Sequence, residues 1–419
     1  MLFAHSPDPE RGIEGQDYAA HVSGVDRLAC KAADGAADFA SRDGDVLKTV
    51  VRLAAKHHDL GKLDDENQEV LAGKRKAKHL PVQHSDAGAA YLLNTLEAAP
   101  GAAIVRSHHI GLPDFIEEEN RNEESVFRDD KVRQRVNQTL PYLINMHKQA
   151  LKSDGTGAAK DCSVKGDASL FFRIALSCLA DGDHTDTAIH YGDQTSEEPV
   201  AGLNPAGRLA ALDRYVERLK EDSERSRLRS EVYHACRDTV TSSNLSSCDS
   251  PVGTGKTTAI MAHLLSQAER KHLRRIIVVL PFTNIIRQSV DIYREALTLD
   301  GENPEHVVAE LHHRADFQDK ASRQLTALWK APIIVTTAVS FFETLASNKP
   351  ATLRRLHNLP GSAIFIDESH AALPAKLLPL GWRWIKGFAD EWRCYWVMAS
   401  GSLSRFWEIE EFDKEPPNV

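Results

Sequence analysis

The sequence predicts two domains of different fold class, an all-α domain followed by an α/β domain with a mainly parallel sheet. From about residue 18 to 189, apolar residues recur at helical spacing and no alternating strand pattern interrupts them. In the second half, helical stretches alternate with short apolar runs typical of buried parallel strands, at 276–280, 333–335, 363–366 and 395–398. With 419 residues, the chain is long enough for each domain to bury a core of its own.

The linker between the two domains is predicted at about 191–207, a polar segment that contains glycine and proline. We place the helical domain at residues 1–205 and the α/β domain at residues 206–419. A second polar, glycine-rich segment at 152–166 predicts a mobile loop within the helical domain. After the linker, the charged stretch at 208–237 predicts a single helix.

The composition excludes a disordered or fibrous protein, because 42% hydrophobic and 26% charged residues are ordinary for a globular one. A net charge of -9 argues against a bulk electrostatic hold on nucleic acid, so such binding must come from local basic patches or from metal. The six cysteines include no Cys-x-x-Cys pair, which predicts buried free thiols and no zinc site. There is no leader pattern and no stretch apolar enough to span a bilayer, so we expect a cytoplasmic protein without a membrane partner.

His58 and Asp59 stand side by side near the predicted end of an amphipathic helix. The apolar stripe within residues 47–54 is extended by His58, and Gly61 is the predicted stop signal. We therefore expect the His58 side chain to face the interior. A neutral imidazole beside a carboxylate suits a transition-metal ion such as Mn, Fe, Co or Ni better than Mg or Ca.

Further candidate ligands lie elsewhere in the helical half. They are His21, His84, the doublet His108-His109, and the acidic turn Asp181-Gly182-Asp183-His184. A single histidine on a helix is more often a core or surface residue than a ligand, so it is the whole set that indicates a metal site. Neighbouring residues in a helix point about 100° apart. The doublet can therefore face one site only near a helix end, which Gly111 and Pro113 supply.

Two basic features near these residues have two interpretations each. Lys62 can contact a phosphate of the substrate or form a surface salt bridge. The basic run at 74–79 can steer a nucleic-acid strand or be a solvated face of the protein.

A phosphate-binding loop is predicted between a short strand-like stretch and a helix at 258–268. Its candidate residues are Gly253, Thr254, Gly255, Lys256 and Thr257. In such loops the backbone N–H groups around the glycines cradle the β-phosphate of a nucleotide. The lysine reaches the β and γ oxygens, and the threonine ligates Mg. Ser250 departs from the strict pattern, which has glycine at that position.

Two acids end the apolar run at 364–366. Asp367 is placed to hold Mg through water, and Glu368 is placed to activate the attacking water. Alone, this pair is compatible with an ordinary strand-to-loop turn. Paired with a phosphate loop earlier in the chain, it predicts ATP with Mg as the ligand of the α/β domain.

The helical half resembles the HD phosphohydrolase superfamily, and in detail the nuclease domain of the CRISPR-associated helicase-nuclease of type I interference systems. The resemblance rests on Ala4-His5-Ser6, His21, the HDLGK run at 58–62, His84-Ser85, His108-His109 followed by Gly111, and the segment 180–186. It implies two divalent transition metals (Mn, Fe, Co or Ni), with Asp59 as the bridge between them. The implied ligands are His21, His58, Asp59 and Asp183 for one metal, and Asp59, His84, His108 and His109 for the other. Asp181 is the alternative to Asp183, and His57 is expected to be structural.

The α/β half resembles superfamily 2 helicases, and again the CRISPR-associated member. The resemblance rests on the phosphate loop, 281–284 with Gln288, 336–338 with 341–343, a DEAH-box variant at 367–370, and Ser400-Gly401-Ser402. With the helical half, it covers nearly the whole chain. It implies a second RecA-like domain, which is not found in this sequence. The arginine fingers of such a domain raise the rate of nucleotide hydrolysis by about 10³ to 10⁵. We therefore expect the chain to bind ATP but to hydrolyse it poorly unless a separate chain or a missing C-terminal half supplies those arginines.

The function that this resemblance implies is CRISPR antiviral defence. The chain is expected to be a metal-dependent endo- or exonuclease that degrades single-stranded DNA unwound by a crRNA-guided surveillance complex of the Cascade type. The implied catalytic residues are Asp59, Lys62 and Glu368. Two alternatives stay open at this point: a nucleotide phosphohydrolase, and a non-catalytic module that binds ATP and DNA because its motor is incomplete.

Overall fold

The computed structural model describes residues 1–152, 162–194, 200–251, 253–311, 327–400, 406–408 and 412, without the side chains at 283, 284, 370 and 408. The predicted loop at 152–166 and the linker at 191–207 thus lie partly outside the described residues. Two compact units are present, which we call the helical unit and the α/β unit. The helical unit comprises Met1–Asp38, Arg42–Glu197 and Ser347–His357, and the α/β unit comprises Phe39–Ser41, Glu198–Ala346 and Asn358–Val419. The predicted fold class, helical followed by α/β, is confirmed.

The helical unit contains a two-stranded antiparallel ribbon and a set of packed helices. The strands are β1 (Phe3–His5) and β2 (Gln16–Asp17). The helices are α1 (Tyr18–Ala37), α2 (Gly44–His57), α3 (Asp65–Leu71), α4 (Ser85–Asn94), α5 (Ala99–Ile110), α6 (Phe115–Glu119), α7 (Arg133–Leu151) and α8 (Ala168–His190). Short 3₁₀ helices occur at Leu60–Leu63 and Glu123–Ser125. Among the described residues, none of the helices combines the length and the apolar character that crossing a membrane requires.

Helices α1, α2 and α8 pack against one another and form the centre of the helical unit. Asp17 caps α1 by accepting a hydrogen bond from the N–H of Ala20 at 3.0 Å, which satisfies a free donor of the first turn. The face of α1 that carries Val22, Val25 and Ala29 is buried, and the same spacing places His21 in the interior. Apolar periodicity therefore brings a histidine into the core.

The predicted role of Gly61 as a helix stop is wrong. Helix α2 already ends at His57, and Gly61 lies inside the 3₁₀ helix Leu60–Leu63. A Cβ at this glycine would lie 2.4 Å from the carbonyl oxygen of His84. The N–H of Gly61 also donates to that oxygen at 3.0 Å. Glycine is needed because two backbones approach closely, which brings His84 beside the end of α2.

A segment from the later part of the chain, Ser347–His357, belongs to the helical unit. The Ser177 hydroxyl on α8 donates to the carbonyl oxygen of Leu353 at 2.6 Å and accepts from the N–H of His357 at 2.9 Å. The N–H of Leu112, just after α5, donates to the carbonyl oxygen of Asn348 at 2.9 Å. This segment thus binds both α5 and α8, the helices in which His108, His109 and Asp183 were predicted as ligands.

The α/β unit is built on a six-stranded parallel sheet with the strand order β3-β8-β7-β4-β6-β5. The strands are β3 (Leu245–Asp249), β4 (Arg275–Leu280), β5 (Val308–Leu311), β6 (Ile333–Thr337), β7 (Ser362–Asp367) and β8 (Tyr395–Ser400). The four predicted apolar runs are all strands, and β4 and β8 are buried along their whole length. β5 was not predicted, because its four residues include Glu310 and form no apolar run.

Helices flank this sheet. They are α9 (Pro205–Arg218), α10 (Glu224–Asp238), α11 (Lys256–Lys271), α12 (Thr283–Leu297), α13 (Pro304–Val307), α14 (Ala338–Ala346), α16 (Ser369–Ala372) and α17 (Leu378–Glu391), while α15 (Pro350–Leu353) lies in the segment assigned to the helical unit. The single helix predicted at 208–237 is wrong, since α9 and α10 are separate. Ser223 starts the second helix by accepting a hydrogen bond from the N–H of Ser226 at 3.2 Å.

Cysteine burial follows the prediction only in part. All six cysteines are among the described residues and none is in a disulfide there; Cys162, Cys178 and Cys394 are buried. Cys30, Cys236 and Cys248 are partly exposed. The last two lie at the margin of the core of the α/β unit.

Candidate functional site

Five parts of the helical unit place the predicted metal ligands around one buried carboxylate. Asp59 directly follows α2 and His58 and is only 1% exposed. The other predicted ligands are His21 on α1, His84 at the start of α4, His108 and His109 in the last turn of α5, and Asp183 on α8. The structure therefore brings all seven predicted ligands into one region of the helical unit.

The first group of ligands faces Oδ2 of Asp59. Nε2 of His21 lies 3.2 Å and Nε2 of His58 lies 3.4 Å from this oxygen. Oδ1 of Asp183 is 3.4 Å from Nε2 of His21. Ligand atoms of His21, His58 and Asp59 all lie within 4.8 Å of one another, a spacing that fits one shared cation.

The second group faces the other oxygen, Oδ1 of Asp59. Nε2 of His84 lies 3.4 Å and Nε2 of His108 lies 4.0 Å from it. His109 packs its ring on His108, with 4.0 Å between the ring centres. Ligand atoms of Asp59, His84, His108 and His109 all lie within 4.8 Å of one another. One aspartate therefore has a separate set of histidines at each of its oxygens.

The polar atoms of this region fit a bound cation. Nε2 of His84, Nε2 of His108 and Oδ1 of Asp59 are buried and have no hydrogen-bond partner among the described residues. Buried polar atoms are nearly always paired in folded proteins, so a group of them aimed at one point indicates a missing partner. Nδ1 of His108 contacts the carbonyl oxygen of Val105 at 2.6 Å, which directs Nε2 toward the site. The donor set is rich in imidazole, which suits Mn, Fe, Co or Ni.

Burial keeps the histidines of the second group neutral. It lowers the pKa of His84 to about 3 and holds the pKa of His108 well below its ordinary value. The pKa of His109 is lowered for the same reason. Neutral imidazole is the form that binds metal, so this group needs no proton loss before it can act as a ligand near neutral pH.

The first group has a different electrostatic balance. Burial lowers the pKa of His21, but hydrogen bonds to Asp183, Asp186 and Asp59 outweigh burial and raise it to about 10. Burial raises the pKa of Asp59, but the nearby charges of His58 and Lys62 hold it well below its usual range. In the metal-free site, the negative charges of the carboxylates are therefore balanced by protons on histidine and by one ammonium group.

That ammonium group belongs to Lys62. Its Nζ lies 2.6 Å from Oδ2 of Asp59, and the residue is only 5% exposed. The salt bridge is therefore buried, not at the surface as one interpretation of the sequence had it. The 3₁₀ helix Leu60–Leu63 turns the lysine back toward the aspartate three residues earlier.

Asp181, the alternative to Asp183, and His57, which was expected to be structural, both lie outside the two ligand groups. Oδ1 of Asp181 accepts from the Arg354 guanidinium at 2.9 Å. Nδ1 of His57 contacts the carbonyl oxygen of Leu53 at 2.8 Å, and its ring packs near Tyr91 with 5.0 Å between centres. The structure thus places Asp183 in the ligand cluster and Asp181 in an ion pair.

In the α/β unit, parallel register brings the predicted nucleotide residues to one edge of the sheet. Asp249 at the end of β3 is paired with Ser400 on β8, and Asp367 on β7 is paired with Ala399. The loop after β3 and the acids after β7 therefore meet at the carboxyl ends of the strands, where α/β sheets bind ligands.

The predicted phosphate loop has the backbone geometry of an anion cradle. Gly253 and Gly255 have φ of 89° and 82°, values that favour glycine, and Gly255 precedes the first turn of α11. Nζ of Lys256 is buried, has no hydrogen-bond partner among the described residues, and lies 3.6 Å from Oε1 of Glu368. The hydroxyl groups of Ser250 and Thr254 share a hydrogen bond of 2.7 Å. The serine that departs from the strict pattern therefore stabilises the loop. Helix α11 begins at Lys256, and Thr257 lies in its first turn.

The two acids after β7 differ in their surroundings. Burial raises the pKa of Asp367, and the Lys256 ammonium opposes this. Glu368 has φ of 45°, and its Oε2 accepts a hydrogen bond from the Ser400 hydroxyl at 2.7 Å. The first serine of the predicted 400–402 motif thus contacts the proposed catalytic glutamate, while residues 401 and 402 lie outside the described residues.

The two predicted nucleic-acid motifs differ in exposure. Phe282 is 59% exposed and follows β4, whereas Phe341 and Phe342 are buried in the core. Phe341 stacks on Trp329 with 5.6 Å between ring centres, so it packs inside the unit and is not presented to solvent. The side chains at 283, 284 and 370 and the residues 312–313 lie outside the description.

No role was assigned from the sequence to Arg229 or to Asp186, although Asp186 belongs to the segment 180–186 that carries the resemblance. Arg229 on α10 donates from Nε to the carbonyl oxygen of Gly253 at 3.1 Å. Asp186 on α8 lies 2.8 Å from Nδ1 of His21. The spacing of Asp183 and Asp186 on one helix was the available signal for the second residue, but its partner is on another helix and is not visible in the sequence.

Comparison with protein families defines the class of the α/β unit. Residues 231–378 match the family described as DEAD/DEAH box helicase. This match covers much of the α/β unit, and the buried histidine and aspartate cluster lies outside the matched residues. No curated protein sequence matches the chain.

Solved structures share the fold of nearly the whole chain. T. fusca Cas3 with ADP matches with a TM-score of 0.62 and 15% identity over 96% of this chain and 51% of that chain. T. fusca Cas3 with AMPPNP matches with a TM-score of 0.62 and 16% identity over 97% of this chain and 50% of that chain. A CRISPR RNA-guided surveillance complex, pre-nicking, contains a chain with a TM-score of 0.52 and 16% identity, over 97% of this chain and 48% of that chain. The protein spans about half the length of these chains, and the similarity confirms the predicted resemblance at the level of the fold.

Proposed function

We propose that the helical unit is a metal-dependent nuclease for single-stranded DNA and that the α/β unit is an ATP-binding half of a helicase motor. The proposed domain limits are residues 1–205 and 206–419. The observation that supports the nuclease is the position of Asp59, whose two oxygens each face a separate group of candidate ligands. A carboxylate in that position is suited to bridge two cations.

The residues of the helical unit have distinct tasks in this proposal. When bound, a pair of Mn, Fe, Co or Ni ions supplies an activated water and neutralises charge on the phosphodiester. Asp59 would be held in common by both ions, and each histidine group would hold one of them. Lys62, already 2.6 Å from Asp59, is placed to contact an oxygen of the scissile phosphate. No nucleophilic side chain is needed for this reaction.

The α/β unit supports ATP with Mg as its ligand. Lys256 has a buried ammonium beside a glycine loop that makes no hydrogen bond to the described residues, and Asp367 and Glu368 lie at the same edge of the sheet. The similar T. fusca Cas3 structures are complexes with ADP and AMPPNP, which supports a nucleotide site here. A second RecA-like domain, on this or another polypeptide, would complete the site with its arginines.

The fold similarity also supports a place in CRISPR antiviral defence. One of the matched chains belongs to a CRISPR RNA-guided surveillance complex before nicking. We propose that the chain acts on DNA strands that such a crRNA-guided, Cascade-type complex has unwound. Single-stranded DNA and this complex are thus the proposed partners.

The test is degradation of labelled single-stranded DNA by the purified chain with Mn, Co or Ni. We expect cleavage that requires added metal and that is lost in the double variant His58→Ala, Asp59→Ala. Glu10→Ala is the control, because this carboxylate is in the same unit, is exposed and lies outside both the ligand groups and the basic run. Cleavage that persists in the double variant would overturn the nuclease.

A panel of nucleotides tested beside DNA separates the remaining alternatives. Metal-dependent phosphate release from nucleotides without DNA cleavage would indicate a nucleotide phosphohydrolase. Binding of ATP and single-stranded DNA with no metal-stimulated cleavage would indicate a non-catalytic module.

A further inference from the structure

The carboxylate of Asp186 lies beside a candidate metal ligand but outside both ligand groups. Its Oδ2 is 2.8 Å from Nδ1 of His21, and the Gln16 side chain donates from Nε2 to the same oxygen at 2.7 Å. Asp186 is on α8, His21 is on α1 and Gln16 is in β2. Three separate elements therefore build one contact at a single nitrogen of His21.

Gly24 provides the space that this carboxylate occupies. A Cβ at position 24 would lie 1.8 Å from Oδ1 of Asp186, far inside van der Waals contact. Gly24 is three residues after His21 and lies within α1, where glycine is less favourable than alanine. The sequence thus has a helix-weakening residue at the point where the Asp186 side chain crosses α1.

The contact determines which nitrogen of His21 is available. An imidazole whose Nδ1–H is bonded to a carboxylate presents its Nε2 lone pair as the ligand. Nε2 of His21 points at the site, 3.2 Å from Oδ2 of Asp59 and 3.4 Å from Oδ1 of Asp183. The ring therefore has the orientation that a metal at the first ligand group requires.

We propose that Asp186, held by Gln16, is a positioning residue that fixes the ring and the tautomer of His21 for the metal of the first group. This rests on the proposed metal site. The ligands His58 and His108 make the corresponding Nδ1 contact to the backbone carbonyl oxygens of Ala55 and Val105. Their orientation therefore does not depend on Asp186, and its removal affects the two metals unequally.

The experiment titrates the full chain with Co²⁺ against a chromophoric chelator and records the visible absorption spectrum of the bound ion. In Asp186→Asn, the affinity for one Co²⁺ falls about 10- to 100-fold, which is the usual cost of removing a carboxylate partner of a metal-binding histidine. The affinity for the other Co²⁺ stays unchanged, and only part of the Co²⁺ spectrum shifts. Asp181→Asn, a matched change on the same helix, leaves both affinities unchanged because Asp181 pairs with Arg354.

Two more variants keep the proposal testable if Asp186→Asn does not fold. Gly24→Ala displaces the carboxylate without changing any charge, and Gln16→Ala removes the amide that holds it. Both lower the affinity for the same Co²⁺. Unchanged Co²⁺ binding in all folded variants overturns the positioning role and leaves the proposed nuclease standing. A wild-type chain that binds no Co²⁺ overturns the proposed nuclease and the positioning role together.

Discussion

Nζ of Lys62 lies 2.6 Å from Oδ2 of Asp59, in the interior of the helical unit, and Nε2 of His21 and Nε2 of His58 face the same oxygen. In the metal-free protein this ammonium and the protonated His21 together compensate the charge of the buried Asp59 carboxylate. Two divalent cations at the same oxygens would take over that compensation. The lysine and the metals thus share one binding partner.

Replacing Lys62 by methionine is expected to destabilise the metal-free protein by about 1.5–3 kcal/mol, because a charge-assisted hydrogen bond to Asp59 is lost while the protonated His21 still faces the same carboxylate. Added Mn²⁺ should restore much of this loss, so metal raises the melting temperature more in the variant than in the wild type. Thermal unfolding with and without Mn²⁺ measures both effects, with the exposed Lys74→Met as control. Equal stabilisation of both proteins by metal would show that lysine and metal do not share Asp59.

Metal binding to the first group is expected to depend on pH. Metal binding to the second group is expected to be independent of pH over the same range. The pKa of His21 is raised to about 10, so at lower pH a proton must leave before this nitrogen can bind metal. The apparent affinity should therefore rise by up to about tenfold per pH unit between about pH 6 and 8. His84 has its pKa lowered to about 3 and stays neutral across this range. Calorimetric titration in buffers of different ionisation enthalpy should show proton release for one metal only.

Asp181→Asn is expected to lower the free energy of unfolding by about 1.5–3 kcal/mol, because hydrogen bonds to charged groups contribute this much. The Arg354 guanidinium donates to Asp181 at 2.9 and 3.2 Å and helps to hold the segment Ser347–His357 on α8. Urea unfolding measures the loss, and Arg354→Met should give a similar value. A variant of normal stability that has lost a metal would instead identify Asp181 as a ligand.

In the α/β unit, Lys256→Ala is expected to weaken ATP binding about 10- to 100-fold, since a charge-assisted hydrogen bond to phosphate is lost. Glu368→Gln should keep the ATP affinity and lower phosphate release, because the proposed role of this carboxylate is to activate water. Titration with a fluorescent ATP analogue and a phosphate assay separate the two effects. Equal losses of affinity in both variants would contradict the assigned roles.

The sequence by itself determined the fold class and the chemical types of the site residues. Helical periodicity around residues 47–54 and the apolar runs of β4, β6, β7 and β8 are local patterns, since they reflect which side chains face a core. The phosphate loop before α11 is also local, because glycines at 253 and 255 supply backbone angles that few other residues adopt. Such features need no knowledge of what packs against them.

Only the tertiary structure determined which residues contact each candidate site residue. Asp181 and Asp183 are both buried on α8, and only the packing of α1 and of the segment Ser347–His357 separates an ion-paired residue from one in the ligand cluster. In the same way, Asp186 meets His21 because Gly24 lets its carboxylate cross α1. Lys62 is buried because a 3₁₀ turn folds it onto Asp59. These contacts join residues from different helices or depend on an irregular turn, so their cause is three-dimensional packing and not local spacing.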